Sequence, residues 1–219
     1  MSGPLPKCRA LNATLMAMIV TAGIAGLSGC GEGASTGTSE ATARRAADEA
    51  ARARAREEAV AKHEAQRLAA LWNYYDVPAG KGREMSATIF SASSVETDGQ
   101  SARPVRLVFR DHPSWGRSSY LVLEAGDFNC YGKCTVAVMV DDAPPRRMAA
   151  RRPPTDEAIA MFINDWRTVW GLTAGAKRLS VEFPVKAGGT RTAAFEVGGL
   201  DRSKMPGWDA GAEARGIIR

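Results

Sequence analysis

The chain has 219 residues, with 29 Lys and Arg against 24 Asp and Glu, a net charge of +5. That length accommodates one ordinary domain and a tail. So mild a positive balance gives no argument for nucleic acid as a partner.

Lys7 and Arg9 open the chain without an acid, and residues 11–27 follow as an uncharged run rich in Ala, Leu, Met, Ile and Val. A basic start, an apolar stretch and small residues at its end describe a secretory signal peptide. The run is short for a bilayer span, which needs about 20 residues, so a single membrane span is the lesser alternative. It ends in Leu27-Ser28-Gly29-Cys30, which resembles the lipobox of bacterial lipoproteins. The resemblance implies diacylglycerol transfer to the Cys30 thiol, cleavage before Cys30 and acylation of the new amino group. Buried acyl chains contribute about 0.8 kcal/mol per methylene, and more than one chain makes a stable anchor. Gly31, where an inner-membrane lipoprotein carries Asp, resembles the class sorted to the outer membrane. The expected location is therefore the cell envelope, held by lipid on Cys30, with the folded part in the periplasm.

Removal of residues 1–29 leaves 27 basic residues against 24 acidic, or +3. Cys8 departs with the leader and Cys30 is lipidated, so Cys130 and Cys134 remain in an oxidising compartment. A disulfide between them is the favoured reading. A metal site is disfavoured because the only histidines, His63 and His112, supply no nearby third and fourth ligands.

Residues 30–39 are dominated by Gly, Ser and Thr, a composition that predicts a flexible leash. Residues 40–75 form the next segment, in which Ala, Arg and Glu predominate without Gly or Pro to about position 72. These are strong helix formers, and Ser39 is a candidate N-cap. Large apolar residues are nearly absent before Val60, so a heptad seam is missing and a solvent-exposed helical spacer is expected rather than a coiled coil. Only Leu68, Leu71 and Trp72 are expected to dock on the domain beyond the spacer. Val77-Pro78-Ala79-Gly80 is read as the stop.

From there to about residue 200 the hydrophobic period changes to two. Strands are expected at 85–92, 105–110, 120–124, 135–140 and 161–163, with a closing pair at 177–183 and 192–197 across Gly188-Gly189. A short helix from Asn164 or Asp165 to about 174 would place Trp166, Val169, Trp170 and Thr173 on one face. The fold class is thus mainly β, a small antiparallel β-sandwich with one short helix, over residues 76–200. Residues 201–219 are expected to form an irregular, fraying tail.

Four runs of residues carry a second resemblance: Leu107-Val108-Phe109-Arg110-Asp111-His112-Pro113; Gly126-Asp127-Phe128-Asn129-Cys130; the run from Cys134 to Asp141-Asp142; and Phe195 through Gly199-Leu200. In this order they resemble an uncharacterised group of proteobacterial and prophage-encoded proteins, many of them lipoproteins. The resemblance implies one small β-rich domain with a short helix and a disulfide, and supplies no catalytic residues. The group's company suggests an accessory lipoprotein of a prophage or secretion system as the alternative role. Asp127 departs from the Gln expected there.

Candidate chemistry is sparse. Asp111-His112 with Ser114 invites a hydrolase reading, but no Gly-x-Ser-x-Gly elbow surrounds a serine, and an envelope hydrolase is the least favoured alternative. Asp141-Asp142 is read as a solvated turn, since a hard cation needs six or more oxygens. No cofactor motif is present: Gly188-Gly189 follows no phosphate-binding pattern. The remaining candidate is residues 143–154, read as a Pro-rich loop carrying Arg146, Arg147, Arg151 and Arg152. Guanidinium forks suit carboxylates and phosphates, and Trp115, Tyr120 and Tyr131 are candidates to complete such a patch. Peptidoglycan or an envelope protein is the candidate partner class, and an ordinary solvated loop is the favoured reading.

Overall fold

The computed structural model describes residues 36–155 and 159–209. The leader, Cys30, the first residues of the leash and the end of the tail lie outside them. The chain divides into two units, Met1–Ala50 and Ala51–Arg219. The described part of the first is the beginning of helix α1 (Thr36–Ala70), whose residues 40–67 are exposed.

The second unit is mainly β. Among the described residues eleven strands, every hydrogen-bonded pair of them antiparallel, follow α1: β1 (Trp72–Ala79), β2 (Gly82–Phe90), β3 (Val95–Glu96), β4 (Ala102–Arg103), β5 (Arg106–His112), β6 (Gly116–Leu123), β7 (Cys134–Val140), β8 (Arg146–Arg151), β9 (Ile159–Ile163), β10 (Leu179–Pro184) and β11 (Thr190–Phe195). Helix α2 (Trp166–Leu172) lies between β9 and β10, and the Asp165 carboxylate caps it by accepting from the Thr168 N–H.

The expected sandwich is corrected by the strand order. Nine strands hydrogen-bond in one continuous sheet, β1-β2-β5-β6-β9-β8-β7-β10-β11, with β3 and β4 as a separate ribbon. Two facing sheets are unnecessary because this one curls back on itself. Just past β2, the Ala92 N–H donates to the Ala194 carbonyl of β11 at 2.8 Å, and the Asp201 N–H donates to the Tyr74 hydroxyl of β1 at 2.7 Å. The inward residues of almost every strand therefore share one core: Ile89, Phe109, Leu121, Met161, Val138, Val181 and Phe195 are all buried, and α2 inserts Val169 and Trp170 among them.

Three local expectations also need correction. Residues 77–80 do not stop the helix: α1 ends at Ala70, and Trp72–Ala79 pairs along its full length with β2. Pro78 is tolerated because β1 is an edge strand with one neighbour. Residues 146–151 are not a loop but β8, with Met148 and Ala150 buried on the inner face between outward arginines. The four prolines, at 144, 145, 153 and 154, lie outside the strand and bound it.

The tail does not fray where it is described. A short 3-10 turn (Arg202–Lys204) leads to Met205 and Trp208, each only 1% exposed. Trp208 packs its ring against Phe109, Trp166 and Trp170 at centroid distances of 5.8, 4.8 and 4.8 Å. Turn residues around a single Trp concealed a core element.

Candidate functional site

Side chains alternate across a strand, so a sheet with one buried face presents a second, outer set. On β5 that set includes Arg106, Val108 and Arg110; on β6, Ser118, Tyr120 and Val122; on β9, Ala160 and Phe162. The ladder places Thr88, Val108, Tyr120, Phe162 and Arg151 opposite one another, a single row across β2, β5, β6, β9 and β8. Val108, Val122 and Ala160 are buried in a small satellite cluster beneath Tyr120 and Phe162. The outer face thus has an apolar floor of its own.

Planar groups stack along that floor. The Tyr120 and Phe162 rings lie 4.8 Å apart, the Arg151 guanidinium sits 5.3 Å from the Phe162 centroid, and the Arg110 guanidinium lies 5.2 Å from both Tyr120 and Trp115. Trp115 stacks in turn on His112 at 3.9 Å. Each cation–π contact contributes about 0.5–2 kcal/mol and holds the guanidinium near the rings. A groove of about 600 Å³ runs over these groups, with Arg110, Arg151, Ser118, Tyr120 and Phe162 among its walls. A smaller hollow of about 380 Å³ adjoins it over Val108 and Val122.

Among the described residues the charges of this groove are unbalanced. Among the described residues neither Arg110 nor Arg151 forms an ion pair, and Arg110 Nε and Ser118 Oγ are buried without a hydrogen-bond partner. Unpaired buried donors cost about 1–3 kcal/mol each. Arg117 is different: it binds the Asp111 carboxylate at 2.8 Å and donates to the Gly207 carbonyl at 2.7 Å. Burial raises the Tyr120 phenol above its ordinary range, so it stays neutral at physiological pH. Glu84, on the same face, lies 3.7 Å from His112 Nε2.

The four arginines read from the sequence do not act together. Arg146 and Arg147 are exposed at the start of β8, and Arg151 ends the strand in the groove. Arg152 turns elsewhere, donating to the Asp127 carboxylate at 2.5 Å and to the Pro153 carbonyl at 2.9 Å. Lys186 meets the same carboxylate at 2.5 Å, and its ammonium lies 5.1 Å from the Tyr131 ring. Of the aromatic candidates, Trp115 and Tyr120 belong to the groove and Tyr131 does not.

Cys130 and Cys134 form a disulfide. It closes the chain just before β7, where the Asn129 N–H donates to the Pro184 carbonyl and Phe128 packs on Phe183. Cys30 lies outside the described residues. Asp141 occupies the left-handed region (φ 47°) and accepts from the Lys177 and Arg178 N–H groups, while Asp142 is fully exposed. His112 Nδ1 accepts the Ser114 N–H at 3.1 Å within a turn. Among the described residues no group of three or more His, Cys, Asp or Glu is arranged to hold a metal, and no helix is long and apolar enough to cross a membrane.

Arg110, Ser118 and Phe162 were missed as site residues, although their signal is present in the sequence. Once Leu107 and Phe109 are taken as inward, alternation sends Arg106, Val108 and Arg110 outward. Charge clustered at 146–152 is conspicuous in the sequence, whereas charge interleaved with a strand, as at Arg106 and Arg110, is not. What this geometry defines is a mainly β, antiparallel domain with an arginine and aromatic groove on its outer face. No family model matches the chain, and neither a curated protein nor a solved structure is similar to it.

Proposed function

We propose that this chain is a lipid-anchored lipoprotein of the bacterial cell envelope that presents its β-rich domain in the periplasm as a binding module rather than an enzyme. The observation that carries this reading is Leu27-Ser28-Gly29-Cys30 at the end of a basic, then apolar leader. Gly31 supports the outer membrane as the destination. In sequence order the anchor is followed by the leash and α1, a polar helical spacer ahead of the domain.

The domain's surface supports binding. His112, the one histidine near candidate hydrolytic residues, is engaged by the Ser114 N–H and stacked on Trp115. The groove instead offers fixed cations over aromatic rings, a combination suited to holding an anionic partner. The family resemblance and the accessory role it suggests add no residue-level observation.

The test is metabolic labelling with a palmitate analogue in a bacterium expressing the full-length chain, followed by membrane fractionation. The expected result is a labelled protein in the outer-membrane fraction, with label and membrane association both lost in Cys30→Ser. An unlabelled wild-type protein in the soluble periplasm would overturn the anchor.

A further inference from the structure

The groove can be assigned a partner class. We infer that it binds a short acidic peptide segment carrying two carboxylates, one against Arg110 and one against Arg151, with an apolar or flat body lying on Tyr120 and Phe162. This rests on the binding-module reading above and names the chemistry of the same site.

Position is the first argument. Arg110 is on β5 and Arg151 on β8, with β6 and β9 between them in the sheet. Three strand spacings of about 4.8 Å separate their backbones by roughly 14 Å. Both side chains lean inward over the rings, but they cap opposite ends of the aromatic pair. A single phosphate is held by donors that converge on one point, commonly backbone N–H groups at a nest or helix N-terminus. Here the strands' backbone groups are engaged in ladders across β5, β6, β9 and β8, so side chains alone read the ligand. Two separated forks call for two separated anions, each a planar carboxylate that a guanidinium can grip bidentately.

The lining is the second argument. Arg110 and Ser118 are register partners on one wall of the groove, so the Arg110 guanidinium is the cation a carboxylate at that end would meet. The middle of the groove offers ring faces over the Val108, Val122 and Ala160 cluster. About 600 Å³ is within the range that small ligands and short peptide segments fill. Exposure is the third. Trp115 is 71% exposed beside Arg110, a large aromatic left at the rim where a partner would cover it.

The experiment uses the full mature chain in detergent and isothermal titration with two synthetic peptides, N-acetyl-Asp-Ala-Phe-Ala-Asp-amide and its Asn, Asn counterpart. Saturable binding of the acidic peptide is expected, at least tenfold tighter than its neutral counterpart. Arg110→Gln and Arg151→Gln should each weaken it about tenfold. Arg147→Gln, on the same strand but outside the groove, should leave it unchanged. Both Gln variants alter partly or fully exposed side chains, and matched thermal melts would show that each remains folded. Equal affinity for the two peptides, an affinity insensitive to Arg110→Gln and Arg151→Gln, or no saturable binding would overturn the inference. So would inorganic phosphate displacing the peptide at equal molarity, since that would make the groove a general anion site. None of these outcomes bears on lipidation of Cys30, so failure here and failure of the anchor are distinguishable.

Discussion

The Trp170 indole N–H donates to the Asp209 carboxylate at 2.7 Å, tying the helix beneath the sheet to a segment 39 residues later. The Arg202 guanidinium lies 4.3 Å over the Trp170 ring and binds the same carboxylate. Burial alone would raise the Asp209 carboxyl, but Arg202 and the indole outweigh it and hold it below the usual range. Residues 201–209 therefore complete the core. Trp208→Ala should destabilise the protein by about 3–5 kcal/mol, as large aromatic deletions from cores do. Asp209→Ala should cost about 1 kcal/mol by leaving the Trp170 N–H unpaired. Urea denaturation followed by tryptophan fluorescence measures both, and a Trp208→Ala effect below about 1 kcal/mol would contradict the packing.

Acid should weaken the fold through Asp127. Burial by itself would raise this carboxyl, but Lys186 and Arg152 outweigh it and depress its folded-state pKa. A depressed carboxylate contributes stability that is complete above its unfolded value of about 3.9 and is lost as pH falls through the lower folded value. Glu96, held low by Arg191, and Glu196, held low by Arg67, act with the same sign. Asp127→Asn should lower stability at pH 7 by about 2 kcal/mol, the scale of a charge-assisted hydrogen bond. It should also flatten the decline between about pH 5 and pH 2. Thermal melts across that range measure it; an acid decline as steep as wild type would remove Asp127 from the account.

The strands most readily found in the sequence were those with one plainly apolar face. Leu107 and Phe109 lie between Arg106 and Arg110, Val136 and Val138 flank Ala137, and Leu179, Val181 and Phe183 alternate with Ser180 and Glu182; each apolar set is buried. The Asp165 cap and the apolar face of α2 were legible for the same local reason. What was hidden depends on distant partners. Pro78 and Gly80 read as a breaker until β2 supplies a strand for β1 to join. Arg146 and Arg147 read as solvated loop until β7 pairs with them. Curvature of the sheet, and so the absence of a sandwich, follows from contacts such as that between Ala92 and Ala194, which no local pattern encodes. The groove combines both cases: its residues alternate legibly, but Arg110 and Arg151 meet one aromatic floor only through four strands in register.

The end of α1 is expected to depend on one glycine. Gly199 packs directly against the Leu68 carbonyl, and a Cβ at 199 would overlap that backbone. Leu68 is half-buried there, and Arg67 reaches Glu196 with two hydrogen bonds, at 2.7 and 3.1 Å. Because the obstacle is backbone rather than a flexible side chain, Gly199→Ala should cost about 2 kcal/mol, an overpacking penalty. Amide exchange at residues 66–71 should accelerate. Gly188→Ala serves as a contrast, since its Cβ would meet open space and its cost would come only from a backbone at φ +102°. Unchanged exchange at 66–71 in Gly199→Ala would show that the helix end does not rely on this contact.

Reducing the Cys130–Cys134 disulfide should have a modest, local effect. The bond closes a loop with a sequence separation of only 4, so it removes little freedom from the unfolded chain, about 2 kcal/mol on the chain-entropy account. For a domain of this size each kcal/mol moves Tm by about 2–4 °C, giving an expected drop of about 4–8 °C in the Cys130→Ser, Cys134→Ser double variant. The local consequence comes from the segment the bond restrains. Phe128 is buried against Phe183, and the Lys186 N–H donates to the Asp127 carbonyl at 2.9 Å, so loosening residues 127–134 should expose amides there before those of β5 and β6. Hydrogen exchange resolves the two regions, and intact mass of the native protein, two hydrogens below the reduced mass, confirms the bond. Equal acceleration throughout the domain would mean that the disulfide supports the whole fold rather than the approach to β7.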